Sequence, residues 1–361
     1  MYKAFRVRKF RCFDDLAVDG LERVNLIAGV NNVGKTALLE AVFLHCAAYN
    51  PEMVLRIDGF RGVAAARVEF GRLGHSPWEL VFNRFDTAKT VVLEGQNTVS
   101  GRRVLELRTV GESEVAKIVG VPPLMGAEEG ERAAIPMAQV LELRYEEDER
   151  KGVSHLVLDS QGIRVQPFPP PPPFPAYFIS TRSFAAREAA REDVQLYGQL
   201  EIRGEHEQIL EVLRMIEPRL RRVAAIAIGK EVILHGDLGW GPMLPLPVMG
   251  EGIVRLAALI VRIASARDGV VLLDEFENGL HYAALPLVWR AVRDVARRFN
   301  VQVLTTTHSR ECIVAAHQAF SETFPYDFRL YRLDRVDDAI SAVMYDQETL
   351  AAAIETGLEV R

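Results

Sequence analysis

The densest chemistry in the chain sits in Gly29-Val30-Asn31-Asn32-Val33-Gly34-Lys35-Thr36. A glycine, four residues and then Gly-Lys-Thr is a pattern that wraps a phosphate chain. Glycines let backbone N–H groups reach an anion with no Cβ in the way. Lys35 offers a point charge to β- and γ-phosphates, and the Thr36 hydroxyl is a candidate Mg²⁺ ligand. The flanks agree. Residues 24–28 are a short apolar run that reads as a buried strand. Residues 35–48 are apolar almost all round and lack glycine and proline, so they read as a buried helix stopped at Asn50-Pro51. The N-terminus of that helix adds its dipole to the anion site.

A second group of residues could complete a phosphoryl-transfer site. Residues 269–273 form an apolar strand that delivers Asp274 and Glu275 at its C-terminal end. Asp274 is expected to hold Mg²⁺, and Glu275 to polarise the attacking water. Adjacent acids point to opposite sides of a strand, so the two are free to take different roles. Residues 301–309 make another β-branched strand that ends in His308-Ser309, with a helix expected over 285–299 before it. A histidine at the C-terminal edge of a parallel sheet can hydrogen-bond a γ-phosphate. Gly250-Glu251-Gly252 opens a long apolar helix over 253–266, which makes it a second candidate anion site.

These residues need a sheet to bring them to one edge, and the chain has room for it. At 361 residues it can bury a large core. A hydrophobic share of 49% and a charged share of 25% are those of a soluble globular protein. A net charge of −6 argues against a protein that coats nucleic acid with its whole surface, and leaves room for a local basic groove. Two groups could form one: Arg6, Arg8, Lys9 and Arg11 on a first strand over 2–13, and Arg219, Arg221 and Arg222. Strand geometry puts Lys9 and Arg11 on one face, and Arg11 is the candidate to reach the nucleotide. Cys12, Cys46 and Cys312 lack a C-x-x-C spacing and read as reduced thiols of a cytoplasmic protein. No apolar run is long enough to cross a membrane, and no secretory leader is visible.

The expected organisation is one α/β domain over 1–361 with four parts. Residues 1–51 are the phosphate-loop unit. Residues 52–175 are an antiparallel β-rich lobe that closes with a proline-rich connector. Within it, residues 67–70, 79–82, 90–93, 103–108, 141–145 and 155–158 read as strands, 159–162 as a hairpin turn, and 111–138 as irregular. Residues 176–268 are a helical lobe, and 269–361 hold the acidic strand and His308. After His308 come two strands, over 328–333 and 340–345, and a helix over 348–354.

The order of motifs resembles the ABC-type ATPase head of P-loop NTPases. The branch is the one that includes SMC proteins, RecF and the ATPase half of OLD-family proteins. Asn31-Asn32-Val33-Gly34-Lys35-Thr36, Asp274-Glu275-Phe276-Glu277-Asn278-Gly279-Leu280-His281 and Thr307-His308-Ser309 carry the resemblance. It implies ATP and Mg²⁺ as cofactors, with nucleotide contacts from Gly29, Asn31, Asn32, Val33, Gly34, Lys35, Thr36 and Ala37. It implies metal ligation by Thr36 and Asp274, and catalysis by Glu275 and His308. It also implies a homodimer on ATP binding, with Gly250, Glu251 and Gly252 reaching the partner's γ-phosphate. That turn departs from the family pattern, since it lacks Ser-Gly-Gly, and no glutamine is clearly the Q-loop. The implied function is an ATP-driven switch in DNA repair or phage defence, with a separately encoded effector and DNA as a further partner. OLD proteins carry a nuclease domain after the ATPase, and the chain beyond Ser309 is too short to hold one. The alternatives are a transporter ATP-binding subunit, disfavoured by the β-rich insert, and a nucleotide-binding scaffold, disfavoured by Glu275.

Overall fold

The computed structural model describes residues 1–61, 76–98, 101–119, 138–148, 150–180 and 187–361. Its centre is a six-stranded sheet in the order β16 (Ala339–Tyr345), β15 (Phe328–Val336), β3 (Val24–Ala28), β14 (Gln302–Thr306), β13 (Val270–Leu273), β9 (Ala176–Ile179). Every neighbouring pair is parallel except β15–β16. The phosphate-loop strand β3 thus lies one strand away from the acidic strand β13, with the histidine strand β14 between them.

A second sheet of seven strands is antiparallel throughout. Its order is β2 (Phe13–Asp19), β1 (Tyr2–Phe10), β4 (Val91–Asn97), β5 (Gly101–Thr109), β6 (Gln139–Glu147), β7 (Arg150–Asp159), β8 (Gly162–Gln166). The β-rich lobe is therefore real, but it begins at residue 2. The first hairpin, expected in the phosphate-loop unit, pairs β1 with β4 instead. Two local expectations also change. Residues 79–82 form a 3₁₀ turn over Glu79–Val81 rather than a strand, and Val81 and Phe82 are buried against the first hairpin, where Val81 O accepts the Arg11 N–H at 2.9 Å. Short apolar runs read alike in either conformation. A helix, α3 (Glu112–Val119), starts the stretch expected to be irregular. The strand expected over 67–70 and most of 111–138 lie outside the described residues.

Helix α1 (Lys35–Ala47) lies between the two sheets, which explains a composition apolar on every side. Its side chains pack with Phe5, Val7 and Leu93 of the antiparallel sheet and with Leu272 and Leu304 of the parallel one. Strand β13 alternates: Val270 and Leu272 face α1, while Val271 and Leu273 face the opposite layer. By the same alternation Asp274 falls on the α1 side. A short helix, α2 (Met53–Phe60), follows α1.

The far face of the parallel sheet is covered by α7 (Glu251–Ser265), α8 (Leu285–Arg298) and α9 (Arg310–Ser321). Outside them sit α4 (Arg187–Ile202), α5 (His206–Leu213), the single turn α6 (Leu246–Met249) and a three-stranded sheet of β10 (Arg222–Ile228), β11 (Glu231–Asp237) and β12 (Leu244–Pro245). Helix α10 (Gln347–Glu355) follows the β15–β16 hairpin, capped by Asp346. The proline-rich stretch runs from β8 to β9 as the expected connector, with Phe174 buried. Among the described residues no helix is long and apolar enough to cross a membrane.

Candidate functional site

The phosphate-binding pattern falls between β3 and α1, at the C-terminal edge of the parallel sheet. Both of its glycines are forced. Gly29 has φ 144°, and a Cβ there would lie 2.8 Å from the Leu333 carbonyl oxygen. Gly34 has φ 106°, and a Cβ there would lie 2.7 Å from Cys12 Sγ and 2.8 Å from the Phe13 ring. The loop is thus pressed between β15 and the first hairpin. Val33 is buried, while Asn31 and Asn32 face solvent. Arg335 of β15 donates to Asn32 O at 3.1 Å and holds the loop from outside. Ala37 is buried beneath the loop.

Lys35 folds over this loop. Its ammonium donates to Gly29 O at 2.6 Å and to Val30 O at 3.1 Å. Burial lowers the tendency of Lys35 to hold its proton, and Asp274, Glu277 and Glu275 oppose that. The first turn of α1 carries no acidic side chain, so the positive end of its dipole is left uncompensated by its own residues.

Thr36 and Asp274, which are 238 positions apart, meet here. The Thr36 hydroxyl is 3.0 Å from each carboxylate oxygen of Asp274, and the Thr306 hydroxyl donates to Asp274 Oδ1 at 2.7 Å. The same Thr306 oxygen accepts the Glu275 N–H at 2.8 Å. One buried hydroxyl on β14 therefore ties both acids at the end of β13. Glu275 turns the chain with φ 53°, and its carboxylate is partly exposed beside Asn278. Phe276 then stacks on Trp289 of α8, with ring centroids 3.7 Å apart, which anchors the turn. His308, exposed at the end of β14, pairs with Glu277 at 3.2 Å.

The glycine turn is placed differently. Gly250 has φ 125°, caps α7, and has no neighbour within 4 Å of where a Cβ would stand. Among the described residues no hydrogen bond joins Gly250, Glu251 or Gly252 to the phosphate loop. The connection runs through Arg255, which lies 3.2 Å from Glu251, donates to Asn278 O and packs against Gly279, just past Glu275.

Arg11 is corrected. It sits in the turn after β1, not in a strand, and its φ is 48°. Its guanidinium lies 2.7 Å from Glu40 and 3.0 Å from Asp58, with Arg61 closing a two-pronged pair on the same Glu40. Glu40 is one helical turn past Thr36 and fully buried, and burial raises its proton affinity against the pull of the two arginines. Arg11 is thus the counter-charge of a buried acid and not a free phosphate ligand. Arg6 and Lys9 are likewise paired, with Asp15 and Asp14 of β2. Arg219 pairs with Glu217 and stacks over Trp240, while Arg221 and Arg222 are exposed.

Comparison with known proteins agrees with this geometry. The family described as "AAA domain, putative AbiEii toxin, Type IV TA system" matches residues 147–313. A Helicobacter pylori protein described as "ATP/GTP phosphatase" is 23% identical over 97% of both chains. The structure of an SMC head bound to the C-terminal winged-helix domain of ScpA superposes with a TM-score of 0.51 at 10% identity, covering 97% of this chain and 99% of that one. The chain has the fold of an ABC-type ATPase head. The expected fold class is thereby met: a P-loop core sheet, an antiparallel β lobe and a helical lobe.

Within this head, three site residues escape sequence reading. Thr306 has a faint signal, as one of three threonines in a buried strand. Glu277 is visible only as part of a motif. Arg335 has no signal, since its loop contact spans 303 positions.

Proposed function

We propose that the chain hydrolyses ATP and works as a switch. The observation that carries this is the joining of Thr36, Asp274 and Thr306 under the Lys35 loop. Gly29, Asn31, Asn32, Val33, Gly34, Lys35 and Ala37 line the phosphates. The donor set at Thr36 and Asp274 fits Mg²⁺: hard oxygens, a buried carboxylate and hydroxyls that orient it. Mg²⁺ bound there would neutralise charge on the transferring phosphoryl group. Glu275 positions water in line with the γ-phosphorus and takes its proton. The new P–O bond forms as the bond to the bridging oxygen breaks, and ADP leaves with the electron pair. His308 contacts the γ-phosphate.

The head acts as a homodimer formed on ATP binding. The glycine turn supports this, because Gly250 and Glu251 are exposed and, among the described residues, no hydrogen bond ties the turn to its own phosphate loop. The output is a protein effector in DNA repair or phage defence, as the resemblance to RecF and OLD heads suggests, in a cytoplasmic setting. DNA contact is modest and ATP-dependent, through the exposed Arg221 and Arg222. A filter-binding salt titration with and without ATP tests this: binding to duplex or single strands in neither state removes DNA from the reading.

Replacing Glu275 by Gln keeps the volume and removes the base. The expected result is retained ATP binding, turnover reduced by about 10²–10⁴-fold, and a stable dimer with Mg-ATP in light scattering. A variant that stays monomeric at saturating Mg-ATP removes the dimer mechanism and leaves the hydrolytic assignment intact.

A further inference from the structure

One residue of β14 holds three consecutive residues at the end of β13. The fully buried Thr306 donates its hydroxyl to Asp274 Oδ1 at 2.7 Å and accepts the Glu275 N–H on the same oxygen at 2.8 Å. Its carbonyl accepts the Phe276 N–H at 2.9 Å. The outer two of the three have other anchors. Asp274 donates its N–H to Ile179 O at 2.9 Å and meets the Thr36 hydroxyl with both carboxylate oxygens. Phe276 is stacked on Trp289. Glu275 lacks such support. Among the described residues its carboxylate has one hydrogen bond, at 3.5 Å from the exposed Asn278 amide.

Glu275 also has φ 53°, a left-handed form that a residue with a Cβ adopts at a cost and keeps when its surroundings impose it. The backbone therefore decides where this carboxylate points, and the Thr306 hydroxyl holds that backbone. The neighbouring threonines do not share the task. The buried Thr305 hydroxyl has no hydrogen-bond partner among the described residues, and the Thr307 hydroxyl accepts the Ser309 N–H at 3.0 Å. We propose that Thr306 is a positioning residue for hydrolysis: it holds Glu275 left-handed, so that the carboxylate meets the attacking water, and nucleotide binding does not depend on it. The proposal rests on the hydrolytic role given to Glu275 above.

The test combines turnover with calorimetry of Mg-ATP binding. Thr306→Val keeps the shape and leaves the Glu275 N–H without its acceptor. Turnover falls about 10²-fold, the cost of a displaced reacting group. Mg-ATP affinity is retained, which marks an interaction made in the transition state alone. Thr306→Ser, which keeps the hydroxyl, recovers most of the turnover. Thr305→Val makes the same exchange on the same strand and leaves turnover and affinity unchanged. Added to Glu275→Gln, Thr306→Val lowers single-turnover hydrolysis no further, because the two residues act as a unit. Should Thr306→Val not fold, Thr306→Cys, whose thiol bonds weakly, is read in the same way. Parental turnover in Thr306→Val, affinity lost in step with turnover, or a further fall on the Glu275→Gln background overturns the proposal. Parental turnover in Glu275→Gln itself would instead overturn the hydrolytic role on which it rests.

Discussion

Both ends of α1 carry polar side chains, and the two sets do opposite things. At its N-terminus, Lys35 and Thr36 are partly exposed, and their partners are ones a ligand could replace: two loop carbonyls and one carboxylate. At its C-terminus, His45 is fully buried between Tyr2 and Arg103. Arg103, also fully buried, donates to His45 O at 2.9 Å and to Glu147 at 2.6 Å, and Tyr49 donates to the other oxygen of Glu147 at 2.5 Å. The first end has hydrogen bonds to exchange. The second has each bond committed, and it ties the phosphate-loop helix to strands β1, β5 and β6. A polar residue on this helix is thus functional or structural according to whether water can reach its partners, not according to its type.

The comparison breaks if substitutions at the two ends behave alike. The largest separation is expected at Lys35. Lys35→Ala removes the main charge on the β- and γ-phosphates, so nucleotide binding falls below detection in calorimetry. Because its native partners are loop carbonyls at a half-open site, the unfolding free energy should stay within about 0.5 kcal/mol of the parent. Retained ATP binding would remove the phosphate-loop assignment.

Arg103→Met is the mirror image. It leaves Glu147 buried without its cation, and breaking such a pair costs about 3–5 kcal/mol. Denaturant titration should show this loss. Turnover per folded molecule should be nearly unchanged, since Arg103 approaches no residue of the phosphate loop. A variant with normal stability and impaired hydrolysis would mean that the far end of α1 takes part in the reaction.

The sequence made one end far more legible than the other. The phosphate loop, β13 and β14 each combine an apolar run with a local motif, and local signals survive in a linear reading. The C-terminal network joins Tyr2, His45, Arg103 and Glu147, which no spacing rule connects. Gln302, fully buried, binds the backbone of Tyr2 from 300 positions away. Arg11 was misplaced for the same reason. Its alternation with apolar residues is strand-like, and only the fold reveals Glu40 and Asp58 waiting beside the turn. The glycine turn is legible as a helix start, whereas its link through Arg255 to the turn at Asn278 and Gly279 is not.

The smallest expected effect sharpens the contrast through pH. Arg103 O can only accept, so the 3.1 Å contact places the His45 hydrogen on Nε2, and Nδ1 accepts the Tyr2 hydroxyl at 2.7 Å. The neutral ring is fully satisfied, and a second proton has no acceptor. Burial first, and the Arg103 charge second, push the His45 value from 6.5 down to about 3, against smaller opposing contributions from the Arg103 carbonyl and Glu147. The unfolded chain therefore binds a proton below about pH 6.5 that the folded chain refuses. Stability attributable to His45 is complete above that value and lost as pH falls, by about 1.4 kcal/mol per unit once the unfolded imidazole is charged. Between pH 7 and pH 5 the loss should approach about 2 kcal/mol, a window chosen to stay above most carboxylate titrations. His45→Gln, which takes up no proton in either state, should be less stable at pH 7 and show a flatter profile. A parent profile as flat as that of the variant would mean that water reaches His45, and the two ends of α1 would then differ less than their hydrogen bonds imply.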